Sequence, residues 1–418
     1  MPGVRRCVPG VLALLALVAP RPGFGQDRFA FQSELERLRR DLRLPALSAA
    51  VAESGTIVWV RHLGVSAAAG EPVRYPISSL TTPLTAVLAM RLVERRALAL
   101  DTGPPDATVR QLLSHTLGGR FLYSVERLRS LQPILERAAG APFRAALTAE
   151  VLDRAHLRHT AASARTTPSA GVESTAEDLV RFAMALDRGS LLTNASRLEM
   201  FRPVRGPTGQ PLPPALGWFV QYVGGEEVRW HFGQEPSASS LLLMLPRRRL
   251  TLVVLARTDR LSAPFWPQMG DVRWSPAAAA FLTAWARVRI DLAESRRVMT
   301  RGLIAMHAGR PAEARGLVEQ ALGLAPALGD AADPALLAAF ARSRDPRVRA
   351  AGRRIARRLL AIDADHPRTL LDLAVLDLED GHPADARPLV ERIINGGRAT
   401  PEVLEAAQEL RSHVERIP

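Results

Sequence analysis

The chain of 418 residues carries 55 basic and 42 acidic side chains, a formal charge of +13, and one cysteine. All of the basic residues are arginine, a bias that GC-rich coding produces by itself, and no basic groove interleaved with aromatics of the kind single-stranded nucleic acid needs is present. Nucleic acid is therefore not expected as a partner, and the length points to about two to three domains, each able to bury an ordinary core.

The first 25 residues join a basic start (Arg5, Arg6) to an apolar run from Val11 to Val18 and a small-residue exit at Gly23-Phe24-Gly25, the pattern of a secretory signal peptide over residues 1–25. That run is too short to span a bilayer, and no later stretch offers the roughly 18 uncharged apolar residues a membrane helix needs. The expectation is an exported protein, periplasmic or secreted, without a transmembrane segment. Cys7 precedes the apolar run instead of following it, which argues against a lipid anchor. Once the leader leaves, no thiol remains for a disulfide, a nucleophile or a metal site.

Apolar residues recur at helical spacing from Phe29 to Leu42, and Leu44-Pro45 ends that helix. Residues 46–60 predict a hairpin: ALSAAVA, a Ser54-Gly55 turn, then the β-branched and aromatic TIVWV. A helix follows from Pro83, a residue suited to the first helical position, with Thr82 as its cap and Leu84, Val87, Leu88 and Leu92 on one face. STAEDLVRFAMAL (174–186) opens with a Ser/Thr capping pattern. WFVQYV (218–223), EVRWHF (227–232), SSLLLML (239–245) and LTLVVLA (250–256) predict an antiparallel meander, closed by a helix over 277–290. The order describes an α+β domain with helices on an antiparallel sheet, over residues 27–290.

From 291 to 418 the pattern is helical throughout. GRPAEARGLVEQAL (309–322) matches GHPADARPLVERII (381–394), and residues 345–367 supply a middle unit. Ala at close-packed positions, Gly at the turns and Pro ending units at Pro326 and Pro367 resemble tetratricopeptide repeats, with a capping helix over 401–416. A plain helical bundle is the simpler alternative. The arginine run at 342–358 reads as a solvated helix face before it reads as an acidic-partner surface. His156 and His159 lack a surrounding metal motif, and neither a metal nor a cofactor is expected.

Read together, YPISSLTTPLTAVLAMRLVE (75–94), TVRQLLSHT (108–116), RFLYS (120–124) and His231-Phe232-Gly233 resemble, in this order, the serine β-lactamase and penicillin-binding superfamily, nearest its class C and carboxypeptidase-like branch. The resemblance implies an antiparallel sheet flanked by helices and a serine hydrolase acting on β-lactams, D-alanyl peptides or esters. Ser79 falls on the nucleophile, Tyr123 on the catalytic tyrosine, and His231 with Gly233 on the strand motif. The backbone N–H groups of Ser79 and Gln234 fall on the oxyanion hole.

Two positions depart from that pattern. A Ser-x-x-Lys pair works because both residues share one helix face, one turn apart, where the amine can take the hydroxyl proton. Here the second position is Thr82, and the chain holds no lysine to replace it. Tyr-x-Asn reads Tyr123-Ser124-Val125, so an apolar side chain stands where an amide would orient substrate. Only Leu117, Gly118 and Gly119 separate the SHT signature from the tyrosine segment, where the family carries a long wall of the site. Ser79 can equally be a helix-start serine, Tyr123 a core residue and His115 a structural one. The site is then weakly active or inactive. The alternatives are a hydrolase with Tyr123 or His231 as base, acting on a small-molecule or peptide substrate, and a non-catalytic scaffold that binds a protein partner through its helical repeats.

Overall fold

The computed structural model describes residues 24–64, 72–104, 107–262, 270–290, 293–324, 337, 340–341, 343, 346–361 and 363–415. The leader features up to Gly23, including Cys7, and the repeat residue Pro326 lie outside them.

Helix α1 (Phe24–Asp41) leads into β1 (Leu47–Glu53) and β2 (Thr56–Leu63), joined by a turn in which Ser54 and Gly55 both take positive φ. That is the turn whose twist matches an antiparallel pair. Next come β3 (Tyr75–Pro76), α2 (Thr81–Glu94), α3 (Val109–Leu113), β4 (Thr116–Leu117), β5 (Arg120–Phe121), α4 (Val125–Arg129), α5 (Gln132–Ala139) and α6 (Phe143–Leu147). They are followed by β6 (Ala161–Thr167), β7 (Ala170–Ser174), α7 (Ala176–Asp187) and α8 (Asn194–Met200). The meander β8 (Phe219–Val223), β9 (Glu226–Glu235), β10 (Ala238–Leu245) and β11 (Leu250–Ala256) then leads to α9 (Pro276–Ala280), which continues as a wider coil to Trp285. This last helix ends short of the predicted Ile290.

The main sheet has six antiparallel strands in the order β2-β1-β11-β10-β9-β8. Its central strand β10 is buried along its whole length, which is why Leu241 to Leu245 run apolar without alternation. One face packs α1 and α9 through Phe31, Leu35, Trp59, Trp230 and Phe281. The other packs α2 and α7 through Leu84, Leu88, Leu179, Phe182, Leu242 and Val253. At the edge of the sheet, Ser48 Oγ joins His62 Nδ1 and the Tyr75 hydroxyl, each at 2.8 Å, and His62 Nε2 faces Glu177 at 3.4 Å. This chain fastens β1, β2, β3 and α7 to one another.

The remaining helices are α10 (Glu294–His307), α11 (Pro311–Leu324), α12 (Pro346–Leu360), α13 (Pro367–Glu379), α14 (Pro383–Asn395) and α15 (Pro401–Val414). The two matching segments place α11 and α14 at equivalent points, each preceded by a glycine with positive φ, Gly309 and Gly381. Pro367 opens α13 instead of closing the unit before it, since a missing N–H costs nothing at a first helical position. Part of the arginine run is ion-paired: Arg349 and Arg353 reach Asp380, and Arg353 also reaches Asp377, tying α12 to α13. Phe340 and Leu376 join the apolar cluster that holds Trp230 and Phe232, so the helical region shares a core with the sheet. Among the described residues, no helix is long and apolar enough to cross a membrane.

Candidate active site

Ser79 owes its place to the segment before it. Ile77 N–H donates to Val172 of β7 at 3.0 Å, and Ser240 Oγ of β10 donates to the Ile77 carbonyl at 2.8 Å. Gly233 of β9 lies against the same carbonyl, so close that a Cβ there would sit 2.1 Å from the Ile77 oxygen and 2.4 Å from Ser240 Oγ. Close approach, and not a turn, is what requires glycine at this point of the strand motif. Ser78 then takes a left-handed conformation with φ of 48°, a strained choice for a residue with a Cβ, and turns the chain into α2. Ser79 sits inside that turn, 7% exposed.

The expected cap at Thr82 does not form. The helix begins earlier, at Thr81, behind a tight turn over Ser78–Leu80, and no side-chain hydrogen bond caps either piece. Thr82 is thereby carried inside the helix, fully buried, with its hydroxyl unpartnered. Ser79 does not act as a capping serine either. Gly217 packs against this turn of α2, where an added Cβ would meet Ala86 Cβ at 2.5 Å and the Thr82 carbonyl at 3.0 Å.

Tyr123 approaches Ser79 from the β5 side. Its ring stacks on His115 at 4.3 Å between centroids and lies 6.3 Å from the His231 ring and 5.2 Å from Phe232. The wall between the SHT signature and the tyrosine is reduced to a tight hairpin: Thr116 pairs with Phe121 and Leu117 with Arg120, while Gly118 and Gly119 take positive φ. Ser124 caps α4 by accepting from Arg127 N–H, which makes Val125 the first residue of that helix. Gln234 follows Gly233 on β9, opposite Ser239. Sequence reasoning set His115 aside as structural. Its place in the SHT signature, which only Leu117, Gly118 and Gly119 separate from the tyrosine segment, is the signal that could have recruited it.

The electrostatics of this cluster work against base catalysis. Burial pushes the Tyr123 hydroxyl well above its ordinary range; the Ser79 hydroxyl draws it back in part, and Glu126 pushes it further up. The Tyr123 hydroxyl is buried and meets no partner in hydrogen-bond geometry. His115 is pushed down to about 3, first by burial and then by His231, while its Nδ1 engages the Ser124 backbone at 3.1 Å and its Nε2 is buried without a partner. Burial pushes His231 down to about 4, with its Nδ1 2.7 Å from the Phe232 carbonyl oxygen and 2.9 Å from the Phe232 nitrogen. At neutral pH both imidazoles and the phenol are uncharged. Tyrosine offers no phenolate and the histidines are weak proton acceptors, so Ser79 lacks a strong base among these groups.

A six-stranded antiparallel sheet with a serine at the start of a buried helix, flanked by a tyrosine loop and a His-x-Gly strand, defines a penicillin-recognising serine-enzyme fold. The octameric penicillin-binding protein homologue from Pyrococcus abyssi is similar in fold, with a TM-score of 0.55 at 15% identity over 66% of this chain and 82% of that one. SurE, solved with D-Leu, gives 0.52 at 21% identity over 65% and 79%. The D-stereospecific amidohydrolase from Streptomyces sp. gives 0.50 at 19% identity over 62% and 99%. The family model described as Beta-lactamase matches residues 31–265, more than half of the chain, and the chain belongs to that family. No curated protein matches the chain.

Proposed function

We propose that this is an exported β-lactamase-family protein, of the class C and carboxypeptidase-like branch, whose acyl-transfer chemistry has been silenced while its pocket and scaffold are kept. The observation that carries this reading is Thr82, fully buried one turn after Ser79 with an unpartnered hydroxyl. A threonine hydroxyl cannot take a proton at neutral pH, and its neighbours do not compensate. The high position of Tyr123 and the low positions of His115 and His231 leave all three as poor bases. Residual acylation through the oxyanion N–H groups of Ser79 and Gln234 is slow at best, because losing a member of such a catalytic set costs orders of magnitude in rate.

In the same reading, residues 1–25 are a signal peptide, residues 27–290 form the β-lactamase-like domain and residues 291–418 form a tetratricopeptide-like module that binds a protein segment. The equivalent placing of α11 and α14, with Gly309 and Gly381 in the same conformation, supports the repeat reading. The test is intact mass after incubation with a reactive penicillin and a phosphonate ester. The expected result is no adduct; an adduct that disappears in Ser79→Ala would establish a live nucleophile and overturn the proposal.

A further inference from the structure

The sheet order leaves β2 as an edge strand, and among the described residues no strand pairs along its outer side. A groove of about 520 Å³ runs beside it, lined by Arg28, Phe29 and Gln32 of α1 and by residues 57–61 of β2. Alternate residues of an edge strand turn their N–H and C=O groups outward, where an extended chain can take them up. Within β2, Trp59 stands opposite Val51 and Ile57 opposite Ala52, so Val58 is an extra residue that breaks the ladder. The regular edge is thereby limited to residues 59–63, enough for a short segment.

Two cations are held beside this groove. Arg28 Cζ lies 5.5 Å over the Trp285 ring and Arg61 Cζ lies 5.6 Å over the Trp59 ring, and the two indoles meet edge to face at 5.8 Å. Arg61 also donates to the Val60 carbonyl at 2.8 Å and to Gln32 Oε1 at 3.0 Å, which fixes its guanidinium against the strand. No carboxylate lines the groove. The acids that flank these residues on α1 are engaged elsewhere, Asp27 with Arg287 at 2.7 Å and Glu36 with the Gln32 amide at 2.9 Å. The two faces of the edge differ: Trp59 and Val58 pack on the α1 side, while Ile57 and Val60 pack against the cluster of α2 and α7. Phe29, at 72%, is the most exposed large apolar side chain among the described residues.

We propose that the outer edge of β2 docks an extended peptide segment of alternating acidic and apolar residues, which adds to the sheet as a further strand. Its carboxylates face Arg28 and Arg61 on the α1 side, and its apolar side chains continue the row of Ile57 and Val60 on the other. Charge selects this occupant over two others. A second copy pairing β2 with β2 brings the same arginines against these ones, and like charges across a strand pair are unfavourable. The chain's own leader, residues 1–25, holds no acidic residue to meet them. Three strands separate β2 from β9, so docking here is independent of the chemistry at Ser79.

A fluorescein-labelled peptide of alternating glutamate and valine, titrated against the intact protein by fluorescence anisotropy, tests this. It should bind, with affinity falling about tenfold as salt rises from about 50 mM to about 500 mM, and the same peptide with lysine for glutamate should not. Arg61→Glu should weaken binding by about tenfold, and Phe29→Ala, a change at an exposed position, by about threefold, with Tm measured on both. Methylating one alternate set of the peptide's amides should abolish binding while methylating the other leaves it, the signature of one-sided strand pairing. Hydrogen exchange locates the contact: β2 should gain protection on binding, and β8 and α12 to α15 should not. No binding at about 1 mM peptide, binding unaltered by both variants, or protection that falls on the helices instead of β2 overturns the proposal. Dimerisation through β2 without peptide assigns the edge to a second copy and overturns it as well.

Discussion

The neutrality of the site has a consequence for stability that can be worked out from its two buried histidines. His115 and His231 are pushed down to about 3 and about 4 from an ordinary value of 6.5. Because the folded values lie below the unfolded one, the unfolded chain binds more protons under acid conditions. The stabilisation is therefore complete above about pH 6.5 and is lost as pH falls toward the folded values. Each histidine costs up to about 1.4 kcal/mol per pH unit once pH is well below 6.5, so the pair removes roughly 3 kcal/mol between pH 6.5 and 5. Against a typical total of about 5–15 kcal/mol this is a large share, and for a chain of this size it corresponds to a fall in Tm of roughly 5 °C. His366, at the start of α13, is also held low by burial and acts in the same direction. The assay is calorimetric Tm against pH from 8 to 5, a range in which ordinary carboxylates barely titrate, with the two imidazoles followed by NMR. A flat Tm across that range, or either imidazole titrating near 6.5, would refute the neutral-site reasoning.

Other expectations follow from single contacts. Gly233→Ala should destabilise by about 1–3 kcal/mol, visible as a lower Tm, because the new methyl meets a carbonyl that hydrogen bonds hold in place. Ser48→Ala should cost about 1–3 kcal/mol in a denaturant titration by stranding the buried Tyr75 hydroxyl; adding Tyr75→Phe should cost less than the two single changes summed. Removing Arg353 leaves the carboxylate of Asp377, only 6% exposed, without its partner on α12. Arg353→Ala should then lower hydrogen-exchange protection across α12 and α13 while leaving β10 unchanged.

The fold was legible where periodicity is strong. Ser54-Gly55 between two β-rich runs specified the first hairpin, and the meander from Trp218 to Ala256 announced its strands by composition and tight turns. The start of α2 was not legible, because Pro83 and Thr82 look like a first residue and its cap. What overrides them is tertiary: the strained Ser78 and the contact of Ile77 with Gly233 and Ser240 begin the helix two residues earlier. Those partners lie more than 150 residues away in sequence, beyond any local pattern. Ser79, Tyr123, His231, Gly233 and Gln234 could be named one by one from motif order, and His115 could not. Their protonation states could not, because these depend on burial, as with His115 stacked on Tyr123 in a place where water does not reach Nε2.

The most direct test of the central claim, that the pocket persists and only its base is missing, is the acylation rate of Thr82→Lys beside the parent, read by intact mass with a reactive penicillin. The account predicts no adduct on the parent and a time-dependent adduct on Thr82→Lys that is abolished by adding Ser79→Ala. An adduct of equal rate on both proteins would contradict it, by showing that Ser79 is deprotonated without any group at position 82.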